Sequence, residues 1–177
     1  MDFCKNEVTL QIRKGDITCQ PDMEAIANAA NAMLLPGLGV DEAIHRAAGP
    51  DLAREAHPKG PILPGQAVLT KGYRLPNKYV IHCLGPVFNI DVPHDVLLAS
   101  CFQNALRICE ENNIKSIAFP AISTGAFGYP PSEAAPVILD AIIKLMHNLK
   151  SIQVVRLVLF SQTDYDIFAE ALESRIC

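Results

Sequence analysis

Residues 116–160 read SIAFPAISTGAFGYPPSEAAPVILDAIIKLMHNLKSIQVVRLVLF, and the order of patterns within them decides the fold. Ser116–Phe119 is a short apolar run that leads into the loop Pro120–Pro131, rich in Gly, Ser and Thr. From Ser132 to Lys150, Ile138, Leu139, Ile142, Ile143, Met146 and Leu149 recur on one helical face, with Pro136 tolerable only near the first turn. Val154–Phe160 returns to a β-branched apolar run of the kind buried on both faces of a sheet. Strand, loop, helix and strand in that order form a parallel crossover unit, and such units place helices on both faces of a sheet.

The same alternation continues outward. Leu97, Leu98, Cys101, Phe102, Ala105, Leu106 and Cys109 make an amphipathic helix that stops at Asn112-Asn113. Gln66–Thr70 and Tyr79–Cys83 are strands around the turn-rich Lys71–Lys78, and Asp164–Ser174 closes the chain as a helix. Val8–Arg13 alternates as a strand before Gly15-Asp16, and Ala25–Ala27 is a second short strand. Val40–Ala48 is a helix ended by Gly49 and kept from resuming by Pro50. The class is α/β: a three-layer α/β/α sandwich with a central mixed, mainly parallel sheet, the opening strand pair adding the antiparallel pairing. A length of 177 residues without repeats or linkers predicts one domain, 1–177.

Composition excludes several functions. Fifteen basic against 19 acidic residues, a net charge of −4, leave no stripe for tracking a phosphate backbone, so no nucleic-acid partner is expected. A single small anion is still compatible, because backbone N–H groups bind phosphate without net positive charge. No stretch of about 18 apolar residues occurs, so no membrane partner is expected and the protein reads as soluble and cytoplasmic. The six cysteines (Cys4, Cys19, Cys83, Cys101, Cys109, Cys177) form no C-x-x-C pair and mostly sit in apolar runs, as in a reduced protein. Cys101 and Cys109 read as small buried hydrophobes, and no metal site is expected.

Two loops follow strands and precede helices: Pro36-Gly37-Leu38-Gly39 and Ser123-Thr124-Gly125-Ala126-Phe127-Gly128. In an open α/β sheet both lie beyond the carboxyl ends of the strands, where ligands bind. A helix start carries roughly half a positive charge, so two such loops facing each other suit a diphosphate. Asn28 and Asn31 precede the first loop, Asp41 starts its helix, and His45 lies at i+4 on the face of Asp41. Each has a plain structural alternative: Asn31 can cap a turn, Asp41 favours a helix start, and His45 can simply pair with Asp41.

Gly15-Asp16-Ile17-Thr18, Asn28-Ala29-Ala30-Asn31, Gly39-Val40-Asp41 through Ile44-His45-Arg46-Ala47-Ala48-Gly49-Pro50, and Pro120-Ala121-Ile122-Ser123-Thr124-Gly125 through Phe127-Gly128-Tyr129-Pro130 occur in that order. With Thr70-Lys71-Gly72-Tyr73 and Tyr79-Val80-Ile81-His82, they span nearly the whole chain and resemble the macrodomain family, specifically its MacroD-type branch. The resemblance implies ADP-ribose bound in a cleft, with adenine near Asp16 and Ile17. Asp16 would accept a hydrogen bond from the exocyclic amine, and a neighbouring backbone N–H would serve a ring nitrogen. The diphosphate would lie between Gly37, Leu38, Gly39 and Val40 on one side and Ser123, Thr124, Gly125, Ala126, Phe127, Gly128 and Tyr129 on the other. Phe127 would pack beside the distal ribose, and Phe160 would either stack on adenine or pack in the core.

The branch implies ester hydrolysis: deacetylation of O-acetyl-ADP-ribose, or removal of mono-ADP-ribose from protein Asp and Glu side chains. The partners would be ADP-ribose, its esters and mono-ADP-ribosylated proteins; the ligand derives from NAD, but no cofactor is implied. Asn31 and Asp41 match the catalytic pair, supported by Asn28 and His45. Asn31 would orient the distal ribose, and Asp41 would polarise or position the attacking water. A helix start favours the anion, so Asp41 would position water more than deprotonate it.

One departure is visible. The branch usually has four glycines where this chain has Pro36, Gly37, Leu38 and Gly39. Pro36 has no N–H, and Leu38 would be strained by about 1 kcal/mol or more if its place demands positive φ. Such a change motivates an alternative class, a noncatalytic ADP-ribose reader; a phosphatase acting on ADP-ribose 1″-phosphate is a further one. Glu55–Pro64, with three prolines and Gly60, is a second place where the cleft rim can differ.

Overall fold

Val154–Leu159 (β7) runs near the middle of a seven-stranded sheet in the computed structural model, which describes residues 1–176. Cys177, one of the six cysteines above, lies outside the described residues. The other strands are Asp2–Lys5 (β1), Val8–Lys14 (β2), Ala25–Ala29 (β3), Ala67–Lys71 (β4), Tyr79–Cys83 (β5) and Ser116–Phe119 (β6), in the order β1-β2-β7-β6-β3-β5-β4. The four central pairings are parallel, and β1·β2 and β4·β5 at the edges are antiparallel.

The antiparallel pairing is therefore not between Val8–Arg13 and Ala25–Ala27, which β7 and β6 separate. It comes from β4 against β5 at one edge and, at the other, from β1 against β2, β1 being a strand that the sequence pattern does not show. Phe3 stands opposite Leu10 on this edge strand, whose half-exposed pattern lacks the apolar run of a central strand.

Helices cover both faces. Val40–Ala48 (α1) and Asp51–Ala56 (α2) cover one, where Ile44, Ala48 and Leu52 pack with Ile17, Ile26, Val80 and Val158. His94–Glu111 (α3), Pro131–Leu145 (α4) and Gln162–Ile176 (α5) cover the other, through Phe102, Ile138, Ile142, Phe168 and Leu172. These apolar faces bury against the sheet because removing each large side chain from water contributes roughly 1.5–3 kcal/mol.

α2 is a second difference from the sequence reading. Pro50 does not prevent a helix; at φ −68° it caps the start of α2, a place where its missing N–H costs nothing. α4 also stops at Leu145 rather than Lys150. The following turn is held instead by Glu110, whose carboxylate accepts N–H bonds from Lys150, Ser151 and Ile152 at 2.9–3.0 Å. Pro136 sits in the second turn of α4 and removes one ladder bond there.

Cys83, Cys101 and Cys109 are buried in the apolar cluster, where desolvation pushes the Cys101 thiol up to about 12 and the other two upward as well. They pack as small hydrophobes. No helix among the described residues is long and apolar enough to cross a membrane.

Candidate active site

All five parallel strands point their carboxyl ends to one side of the sheet, and a cleft opens there. Its walls are Leu38, Gly39 and Val40 from the loop after β3, Ser123–Phe127 from the loop after β6, and Val158–Phe160 from the end of β7. Phe160 settles one open choice: it lies on the cleft wall and is 82% exposed, so it is not a core residue. Asp16 is also exposed, in a tight turn where Thr18 N–H and Oγ both donate to its Oδ1. Gly15 N–H donates to Leu159 O at 2.9 Å, which holds this turn beside the mouth of the cleft, while Ile17 packs inward.

The start of α1 has no side-chain cap, and its first helical bond is Ala43 N–H to Gly39 O. The preceding N–H groups of Leu38, Gly39 and Val40, all residues of the cleft wall, have no partner among the described residues. Gly125, Ala126 and Phe127 N–H are equally free on the opposite wall. Two sets of unpaired donors, one with a helix dipole behind it, make a strongly anion-attracting gap.

Asp41 is buried, and its two oxygens have different tasks. Oδ1 accepts from Asn28 Nδ2 at 2.6 Å, with His45 Nε2 3.4 Å away, and Oδ2 accepts from Gly37 N–H at 2.6 Å. Asn31 is half-buried and braces the same loop: its Nδ2 donates to Leu35 O at 2.6 Å and its Oδ1 accepts from Leu35 N–H at 3.2 Å. Asn28, Asn31, Asp41 and His45 thus gather around one bend of the chain.

Two predicted ligand residues stand differently from expectation, while a third, Leu38, lines the cleft as expected. Gly37 N–H is already committed to Asp41, so it is not free for phosphate. Tyr129 is buried with its ring against Phe88 and His94, at 4.8 and 5.3 Å between centroids, so its side chain belongs to the core. Leu38 keeps a negative φ and is 83% exposed on the rim, so its place does not demand the positive φ that would strain it.

The two remaining glycines explain why. A Cβ at Gly37 would come within 2.8 Å of Asp41 Oδ2 and 3.1 Å of Asn31 Nδ2, and Gly39 adopts φ +65°. Neither constraint applies at position 38. Pro36 borders a shallow hollow beside Glu42, His45 and Arg46 rather than the cleft.

The sequence reading assigned no role to His82, Thr70 or Gly85. His82 is fully buried, with Nδ1 3.2 Å from Asn28 Nδ2 and Nε2 2.8 Å from Thr70 Oγ1. Burial, followed by the neighbouring His45, lowers its pKa to about 4, so it is neutral at physiological pH. A histidine and a threonine facing inward in otherwise apolar strands were the available signal.

Gly85 lines the cleft floor, where an added Cβ would run into Ser123 Oγ and lie 2.6 Å from Ile122 Cγ2. Ser123 is already held at φ +69°. Gly85→Ala is therefore expected to destabilise the protein by about 2 kcal/mol through overpacking, visible as a lowered midpoint in thermal unfolding. An unchanged midpoint would mean that the Ser123 loop yields freely.

Comparison with known proteins gives consistent matches. A family model described as Macro domain matches residues 27–138. A macro domain-containing protein of Chlorobaculum tepidum is 43% identical over 168 residues, which cover 94% of this chain and 97% of that protein. The Xenopus laevis protein named ADP-ribose glycohydrolase MACROD2 is 46% identical over 162 residues, 90% of this chain but 38% of the relative. This chain therefore spans under half of MACROD2. Among solved structures, a glycine-to-valine mutant of the Oceanobacillus iheyensis macrodomain with ADPR superposes at a TM-score of 0.95, with 40% identity, 99% of this chain and 98% of that one.

Proposed function

Because the chain belongs to the macro domain family, we propose that its cleft binds ADP-ribose and that it hydrolyses ADP-ribose esters, both O-acetyl-ADP-ribose and mono-ADP-ribose on protein Asp and Glu side chains. One observation carries this reading. Unpaired N–H groups line both walls of the cleft, and behind one wall the buried Asn28–Asp41 pair holds the N–H of Gly37, the residue before Leu38. A diphosphate fits the gap between the walls by charge and by hydrogen-bond demand. The name of the MACROD2 relative supports hydrolysis, and the ADPR in the Oceanobacillus structure supports the ligand.

With the diphosphate placed there, the two ends of the ligand fall on different side chains. Adenine lies towards Phe160 and the Asp16 turn, and the distal ribose towards Phe127 and Asn31. Asn31 orients the ribose hydroxyls, and Asp41 holds the attacking water while His45 and Asn28 hold Asp41. Because both Asp41 oxygens already accept short hydrogen bonds, positioning fits Asp41 better than proton abstraction. The free thiols among the described residues suit a reducing, cytoplasmic setting.

Release of free ADP-ribose from a glutamate-linked ADP-ribosyl protein tests the activity, with calorimetry for ADP-ribose binding. Binding without release would leave a noncatalytic reader, and phosphate release from ADP-ribose 1″-phosphate would favour a phosphatase. Phe160→Ala is expected to weaken ADP-ribose roughly tenfold, since stacking of a base on an aromatic ring contributes about 1–3 kcal/mol. An affinity unchanged by this substitution would remove Phe160 from the adenine site.

A further inference from the structure

We propose that His82 is a positioning residue for this reaction, its bare Nδ1 holding the Asn28 amide and, through that amide, the Asp41 carboxylate and the Gly37 bend. The proposal rests on the hydrolase reading above. Asn28 Nδ2 carries two hydrogens, with Asp41 Oδ1 at 2.6 Å and His82 Nδ1 at 3.2 Å. A carboxylate only accepts, so the NH2 side of the amide must face Asp41 and the group cannot be turned over. The second hydrogen then requires an acceptor, so the imidazole proton sits on Nε2. There it donates to Thr70 Oγ1 at 2.8 Å, and the Thr70 hydroxyl donates onward to Lys71 O at 3.2 Å.

Donors and acceptors alternate along this whole line, from Lys71 O to Gly37 N–H. Protonated His82 would break it by setting N–H against N–H. Burial supports the neutral form, with a pKa of about 4 among Asp41 and His45 from α1, Glu55 from α2 and Lys59 from the turn after it. Asn28 Oδ1 has no partner among the described residues, so the amide is anchored through its nitrogen alone. Losing Nδ1 removes one of two anchors and frees Asn28 to rotate away from Asp41.

A merely space-filling histidine predicts the opposite order of variants. His82→Leu keeps the apolar volume but removes the acceptor, whereas His82→Asn is smaller yet places an acceptor oxygen where Nδ1 stood. The full chain is assayed for ADP-ribose release from a glutamate-linked ADP-ribosyl protein, and hydrogen exchange is followed at the Gly37 amide. The expected result for His82→Leu is a kcat lowered about tenfold or more, KM within about threefold, and Gly37 exchange accelerated about tenfold. His82→Asn is expected to recover both to within about threefold of the native values.

Native kcat in His82→Leu, or His82→Asn as impaired as His82→Leu, overturns the proposal. If the native chain releases no ADP-ribose, the hydrolase reading fails separately, and Gly37 exchange still decides. Protection lost in His82→Leu and restored in His82→Asn supports the positioning line, and unchanged protection in His82→Leu overturns it. If His82→Leu does not fold, His82→Asn with Thr70→Val carries the test. Native kcat and exchange in the former with faster exchange in the latter support the line, and the reverse overturns it.

Discussion

Asp41→Ala is expected to lower ADP-ribose release from a glutamate-linked ADP-ribosyl protein by a factor on the order of 10²–10⁴, the range commonly lost with a group that activates or positions the attacking water. The carboxylate does two things at once. It accepts from Asn28 Nδ2 and from Gly37 N–H, each at 2.6 Å, so its removal leaves two donors without their acceptor next to the cleft wall. Each unsatisfied donor costs about 1–3 kcal/mol, and the Gly37 bend relaxes to recover part of that. Asp41→Asn separates the two tasks, because it keeps the volume but offers one acceptor oxygen in place of two. Its turnover should fall between that of the native chain and Asp41→Ala. Single-turnover release, measured beside calorimetric binding of ADP-ribose, checks the split: a large loss in rate with a smaller change in affinity is expected. Turnover of Asp41→Ala within about threefold of native would remove Asp41 from the reaction.

Asp41 was visible in the sequence because its signals are local: a loop, a helix start and a histidine one turn on. β7, α1 and α3 were legible for the same reason, each carrying its own apolar period. The order of the strands was not. β2 lies beside β7, pairing Leu10 with Val155, and nothing in either strand names the other.

His82 was hidden by the same limit. It meets Asn28 only because β3 and β5 pair in a register that sets Asn28 opposite His82. Counting glycines also misled, since Pro36-Gly37-Leu38-Gly39 looks like a damaged phosphate loop. In the fold, Gly37 is required by its closeness to Asp41 and Gly39 by its positive φ, while the exposed rim place of Leu38 accepts a side chain. Composition carries no information on which glycine of a loop is under constraint. Only the packing shows it.

Acid should destabilise this protein in a window that His82 sets. In the fold burial lowers its pKa from 6.5 to about 4, whereas in the unfolded chain it titrates near 6.5. Above pH 6.5 neither state binds the proton, and His82 leaves stability unchanged. As pH falls from 6.5 towards 4, the unfolded chain takes up the proton and the fold does not, so stability declines; below about 4 both states are protonated and the decline from this group ends. A gap of about two and a half pH units, at 1.36 kcal/mol each, comes to about 3 kcal/mol. The carboxyls of Asp2, Asp22 and Glu110, held below the usual range, add their own slope, so the measurement is a difference: urea unfolding of the native chain and of His82→Asn across pH 4–7. His82→Asn loses stability through its smaller volume, but the gap between the two chains should narrow by about 3 kcal/mol as the pH falls, because asparagine does not titrate. A gap constant across this range would mean that His82 takes up its proton as readily in the fold as in the unfolded chain, so that burial does not keep Nδ1 bare below pH 6.5.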